Sequence, residues 1–179
     1  MKKNVCKKAG LIPAFTMIEI VFVITVIGIL ASVAMPRLSA TRDDAVICKG
    51  RNEVASLRSA IASVYQTGLL RGARGYVSRL DGGVSANVEG VMIFDTNDTA
   101  SQDAAMLLSY GVTTKEGDGR WMKTEENRYT FRVNHTEVHF GYFPQKTTLS
   151  GNVYRAGTFT CKGLNSANAA KTYCKALIE

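Results

Sequence analysis

The 179-residue chain has little cysteine and almost no histidine. Four cysteines are too few for a scaffold held by disulfides alone. The two histidines, His135 and His139, flank an expected hairpin turn with no carboxylate–serine or cysteine arrangement beside them. The sequence therefore offers no nucleophile–base constellation and reads as a non-enzyme. The signs of disorder and of collagen-like repetition are missing too, with 46% apolar and 21% charged residues. The length suits one domain with at most an appendage. No acid occurs in the first 14 residues, where Lys2, Lys3, Lys7 and Lys8 supply four of the net +7 charges. The remaining +3 is too weak a surplus for a dedicated nucleic-acid binder, and the lysines read as a short basic leader.

Charge is absent again from Ile20 to Met35, IVFVITVIGILASVAM. Extended back to Phe15, the run holds a single charge, Glu19. As a helix it would rise about 31 Å, against a hydrocarbon core of about 30 Å. This predicts a membrane-spanning helix in preference to a buried core helix. The lysines before it place the N-terminus in the cytoplasm and the remainder outside, by the positive-inside bias. Met35-Pro36-Arg37 does not resemble a signal-peptide cleavage site, so the apolar segment is expected to be retained.

Glu19 is out of place in such a run. A carboxylate at the bilayer centre costs about 2.5–3.5 kcal/mol, less near the interface. It is either a snorkelling side chain or a functional one that needs a cation at the same depth. The chain has none there, but a new α-amino group on a neighbouring copy would serve. Ala14-Phe15-Thr16-Met17-Ile18-Glu19, followed by the apolar run, resembles the N-terminal signature of type IV pilins and type II secretion pseudopilins. The resemblance covers residues 7–65. It implies that a prepilin peptidase cuts between Ala14 and Phe15, that Phe15 is then N-methylated, and that Glu19 acts in subunit assembly. It also makes Pro36 a helix-kinking proline. The family usually has Gly where this chain has Ala14.

The helical pattern continues past Pro36. Ile47, Gly50, Val54, Leu57, Ile61 and Val64 form a seam, with Lys49, Arg51, Asn52 and Arg58 opposite. Gly28 and Pro36 are the places to bend. From Thr67 the texture changes, with Gly68, Gly72, Gly75, Gly82 and Gly83 marking loops. A strand is expected over 88–94 and a short helix over 100–110. Tyr129, Phe131 and Val133 alternate, as do Val138, Phe140 and Tyr142, which reads as a β-hairpin. A further strand is expected over 153–161. The expected fold is α+β, pilin-like: a long N-terminal helix, membrane-spanning in its first half, packed on a small antiparallel sheet. The expected divisions are a leader at 1–14, a transmembrane half at 15–36, an amphipathic half at 37–66 and a periplasmic head at 67–179.

Cys6 would leave with the leader. Cys161 and Cys174 would close a short loop, and an oxidising compartment permits that bond. Such a bridge contributes about 3 kcal/mol by the chain-entropy account. Cys48 is most simply a small core residue, and its pairing with either C-terminal cysteine stays open. Asp95, Asn97, Asp98 and Asp103 make an oxygen-rich loop. Some pseudopilins hold calcium in a head loop, but this one lacks the EF-hand Gly and terminal Glu, so turn and cap roles rank above calcium and no cofactor is expected. Arg71, Arg74 and Arg79 surround Tyr76, a patch able to touch phosphates while the ring stacks on a base; a solvated basic loop is the plainer reading.

The leading expectation is a structural pseudopilin of a type II secretion system, at the inner membrane and assembled into a periplasmic filament. Its implied partners are the prepilin peptidase, copies of itself or other pseudopilins, an inner-membrane assembly platform and membrane lipid. The alternatives are a type IV pilin or competence pseudopilin contacting DNA, and a non-polymerising, single-span membrane-anchored periplasmic binding domain.

Overall fold

The computed structural model describes residues 16–95 and 107–179, with 33–41 described in backbone only. The chain divides into two compact units, Met1–Thr41 and Arg42–Glu179. The leader, with Ala14 and Phe15, lies outside the described residues, as do Asn97, Asp98 and Asp103.

Helical backbone, α1, is assigned over Met17–Leu70. Its start follows from local chemistry. The Glu19 amide donates to the Thr16 hydroxyl oxygen at 3.3 Å, and Thr16 and Glu19 stand in the T-x-x-E spacing of a capping box. Glu19 also places a negative charge in the first turn, where the helix dipole favours it.

The membrane-spanning expectation is corrected. Among the described residues no helix is long and apolar enough to cross a membrane. The stretch described with its side chains and apolar nearly all round is 17–32. The helical stretch 42–70 belongs to the other compact unit and is one-sided instead of apolar all round. The pilin-like fold with a spanning stalk, the single-pass transmembrane helix, the inner-membrane and periplasmic placement and the span of the anchored alternative therefore lose their support. Gly28 and Pro36 both lie in helical backbone.

The unit Arg42–Glu179 carries the sheets. Its elements are β1 (Met92–Ile93), β2 (Val112–Thr113), β3 (Trp121–Glu125), β4 (Arg128–Val133), β5 (Thr136–Phe143), β6 (Thr147–Leu149), β7 (Asn152–Tyr154), β8 (Thr158–Thr160) and α2 (Asn168–Ile178). The main sheet is four-stranded and antiparallel, ordered β3-β4-β5-β8; β1 pairs β2 and β6 pairs β7. The alternation around Asn134 is a hairpin, with Tyr129 opposite Phe140 and Phe131 opposite Val138. Asn134 and His135 both take positive φ, as a tight hairpin turn with right-handed twist requires.

The apolar faces meet in one core. Val54, Leu57 and Ile61 of α1 are buried with Trp121, Tyr129, Phe131, Phe140, Phe159 and Leu177. Gly50 is the closest approach on the seam. A Cβ there would lie 2.6 Å from both Leu177 and Phe131 side-chain atoms. Arg51 and Arg58, expected on the solvent side, are anchors instead. Arg51 donates to the Ala176 carbonyl at 2.6 and 2.9 Å, and Arg58 to those of Phe159 at 3.0 Å and Ile178 at 3.5 Å. The guanidinium reach brings these charges to the last carbonyls of α2, which lack intrahelical donors.

Several local expectations are corrected. The strand over 88–94 is reduced to Met92–Ile93. Gly90 has φ +77°, and the buried Thr114 hydroxyl donates to the Val88 carbonyl, which holds this stretch as a turn. The strand over 153–161 is broken into β7 and β8. Gly157 intervenes at φ +76° and is pressed against the Tyr76 ring, where no side chain fits. Of the helix expected over 100–110, the described residues 107–110 are bends; the others lie outside the described residues. β3 and α2 were not expected at all.

Candidate functional site

In the unit Met1–Thr41 the described helix surface is almost wholly apolar and open. Met17 is 86% exposed, Ile18 79%, and Phe22 and Ile29 69% each. Ile20, Val21, Val23, Ile24, Val26, Ile27 and Leu30 are exposed as well. The hydroxyls in this stretch are turned inward. Thr25 donates to the Phe22 carbonyl and Ser32 to that of Ile29, each at 2.7 Å. Gly28 has nothing within 4 Å of its would-be Cβ, so a partner can approach the backbone there. The one carboxylate of the segment, Glu19, is exposed at its start. An apolar surface of this extent marks an interaction site.

In the unit Arg42–Glu179, Cys161 and Cys174 are bonded, with Cα atoms 5.7 Å apart. The bond ties the end of β8 to α2. Cys48 is a free, exposed thiol and not a core residue; the seam turns its neighbours Ile47 and Gly50 inward and leaves Cys48 outside.

The basic loop is only partly assembled. Arg71 and Arg74 are exposed. Arg79 instead pairs with Glu126 at 3.0 Å. Tyr76 stacks on Tyr65, with centroids 4.0 Å apart and planes 11° apart. With Tyr65 on its face and Gly157 against the ring, Tyr76 is a packing residue in this structure. Asp95 is half-buried and engaged within the protein. Among the described residues no group of three or more His, Cys, Asp or Glu side chains is placed to hold a metal ion. His135 is exposed at the hairpin tip, its amide donating to Asp118 at 2.8 Å. His139 is exposed on β5, its ring Nδ1 3.3 Å from the Thr130 hydroxyl.

Sequence reasoning missed a buried polar cluster. Lys123 and Asp81 form an ion pair at 2.7 Å, their side chains 7% and 1% exposed. The Tyr129 hydroxyl donates to Asp81 at 2.9 Å, the Gly83 amide does so at 2.9 Å, and Lys123 also donates to the Val84 carbonyl at 2.5 Å. Lys123 and Tyr129 are register partners across β3 and β4. A signal was present: in Trp121-Met122-Lys123 the lysine shares the face of Trp121, so it needed a buried acid. Burial, then the Asp81 charge, push the Tyr129 hydroxyl well above its ordinary pKa. Burial, then Tyr76, raise Tyr142, whose hydroxyl donates to the Val77 carbonyl at 2.8 Å.

A cleft of about 300 Å³ is lined by residues of β3 to β5 and of the 87–89 and 115–117 loops, Lys115, Arg120 and Glu89 among them. Arg132 at its wall is held by Glu137 at 2.5 Å and Glu116 at 3.1 Å, so much of its charge is matched internally. No family model, no curated protein and no solved structure matches this chain.

Proposed function

We propose that this chain is a structural assembly subunit of the pseudopilin kind, as in a type II secretion system. It is cut between Ala14 and Phe15, N-methylated at Phe15, and polymerised through its apolar helix segment with copies of itself or related subunits. The observation that carries this reading is the open apolar surface of residues 17–32, with its hydroxyls satisfied inward. A helix that is apolar all round needs burial, and packing against like helices supplies it. Glu19, exposed at the start of that surface, is the carboxylate that meets a neighbour's N-terminal amine and sets axial register. The chain is the substrate of a peptidase and performs no chemistry itself. Tyr76, occupied by Tyr65, is not free to stack on a base, which argues against DNA contact at that loop.

The test is intact mass and N-terminal sequencing of the protein from its native cells, followed by cross-linking of the purified full chain. An N-methylated Phe15 terminus and a ladder of cross-linked oligomers, shortened in Glu19→Ala, are expected. A mature protein beginning at Met1 and remaining monomeric overturns the reading.

A further inference from the structure

The unit Arg42–Glu179 matches part of its surface charge internally. Arg79 pairs with Glu126, Arg132 with Glu116 and Glu137, and Lys175 with Glu179. Asp43 and Asp44 depart from this pattern. They stand where α1 enters the unit, Asp44 exposed and Asp43 half-buried. From Asp43 to Cys48 they are the only charges. Neither has a basic partner among the described residues.

A groove at the other end of the chain carries the opposite charge. A cleft of about 340 Å³ runs between α2 and the 161–165 loop, with the Cys161–Cys174 disulfide and Ile178 among its lining residues. Lys162, Lys171 and Lys175 line it too, the last two a turn apart on one face of α2. Lys175 meets Glu179, which also lines the cleft, at 3.7 Å. Lys162 and Lys171 are exposed and have no acidic partner among the described residues. The disulfide staples the groove and Arg51 braces it at the Ala176 carbonyl, so its shape is set before anything binds.

We infer that this groove receives Asp43 and Asp44 of a second copy of the chain. The two unmatched aspartates complement the two unmatched lysines, and within one copy they form no ion pair. Position along α1 supports the same contact. The end of α2 is fixed to α1 by Arg51 at the Ala176 carbonyl and by Arg58 at the Ile178 carbonyl. At 1.5 Å per residue these arginines lie about 10 Å and about 20 Å beyond Asp44 along the helix. Two such units side by side and parallel, offset along α1 by about that distance, bring the aspartates of one level with the groove of the other. The contact joins different surfaces of the two copies, and such a heterologous contact propagates a filament where it does not close a ring. It rests on the assembly reading and deepens it: the apolar segment supplies affinity, and this contact adds an axial offset and salt sensitivity.

The experiment mixes unlabelled and isotope-labelled full chains, dissociates and reassembles them, and couples them with a carbodiimide, which condenses a carboxylate and an amine in contact with loss of water. Peptides joining Asp43 or Asp44 to Lys162 or Lys171 across the two isotopes are expected. Their absence overturns the inference. Links found only within one isotope class overturn it too, because the aspartates then close their own groove. Glu125, an exposed acid at the end of β3, is the control; its coupling to the same lysines at equal yield overturns the inference. Analytical ultracentrifugation supplies a second measurement. Asp43→Lys with Asp44→Lys, or Lys162→Glu with Lys171→Glu, is expected to raise the dissociation constant of the oligomers about tenfold, or about 1.4 kcal/mol. A chain carrying both pairs of changes is expected to recover it. No shift in either variant, or no recovery, overturns the inference. Oligomers without the cross-isotope link sink this contact and spare the assembly reading; the link in a chain that sediments as a monomer does the reverse.

Discussion

Asp81 and Lys123 hold opposite charges where almost no water reaches them, and each is the reason the other is tolerated. Removing one partner strands a charge in a low-dielectric site. Lys123→Met is expected to destabilise the Arg42–Glu179 unit by about 3–5 kcal/mol, and Asp81→Asn with Lys123→Met by less than the two single changes together. Thermal unfolding of the four proteins checks this. The tyrosines set the alkaline limit. The Tyr129 and Tyr142 hydroxyls have pKa values raised above the ordinary 10, so the folded chain keeps protons that the unfolded chain loses. Their contribution is complete below pH 10 and is lost as pH rises beyond it. Stability is expected to fall above about pH 10, less steeply in Tyr129→Phe. In a tyrosinate absorbance titration, part of the signal should appear only with unfolding; ionisation of every tyrosine in the folded state would contradict the burial of these two.

At the scale of elements, the seat of α1 on the sheet depends on close approach at Gly50. Gly50→Ala places a methyl against Leu177 and Phe131, and the overpacking is expected to cost about 1–3 kcal/mol. Gly28→Ala meets nothing within 4 Å and is expected to leave the melting temperature unchanged or slightly raised. Denaturant midpoints of the two variants compare them directly. The seam and the β4–β5 hairpin were legible because each repeats its period over several residues, with Asn134 marking the turn. The rest was hidden for physical reasons. β3 is short and puts Lys123 on the core face, which spoils the apolar alternation. α2 starts at Asn168 after an N-cap residue, Ala167, that has no side chain to cap it, and its stripe of Ala170, Cys174 and Leu177 is too brief to stand out. The break between β7 and β8 depends on Tyr76, a residue distant in sequence, which no local pattern reveals. Glu19 carries a local role that its sequence also spells out: with Thr16 it has the T-x-x-E spacing that opens the helix.

At the scale of the whole molecule, the chain joins two units with opposite solvent preferences. Arg42–Glu179 holds a core of stacked and edge-on aromatics, Trp121 touching Phe94, Phe131 and Phe140, while Leu70, Tyr110 and a few other large apolar side chains stay exposed. In Met1–Thr41 the described apolar side chains face outward. The Arg42–Glu179 unit has a core of its own, whereas the described apolar side chains of Met1–Thr41 stay open, and on the assembly reading proposed above this difference separates stability from assembly. A chain starting at Arg42 is expected to fold with the same main thermal transition as the full protein, because the core residues described all lie within Arg42–Glu179. Val23→Asp in the full chain puts a charge on the open apolar surface. It is expected to leave that transition in place and to abolish the higher oligomers, since burying an unpaired carboxylate against a neighbour costs several kcal/mol. Calorimetry beside analytical ultracentrifugation reads both quantities on one sample. If Val23→Asp melts the head, the two units are not independent. If it leaves oligomers intact, the surface around Val23 is not where copies meet.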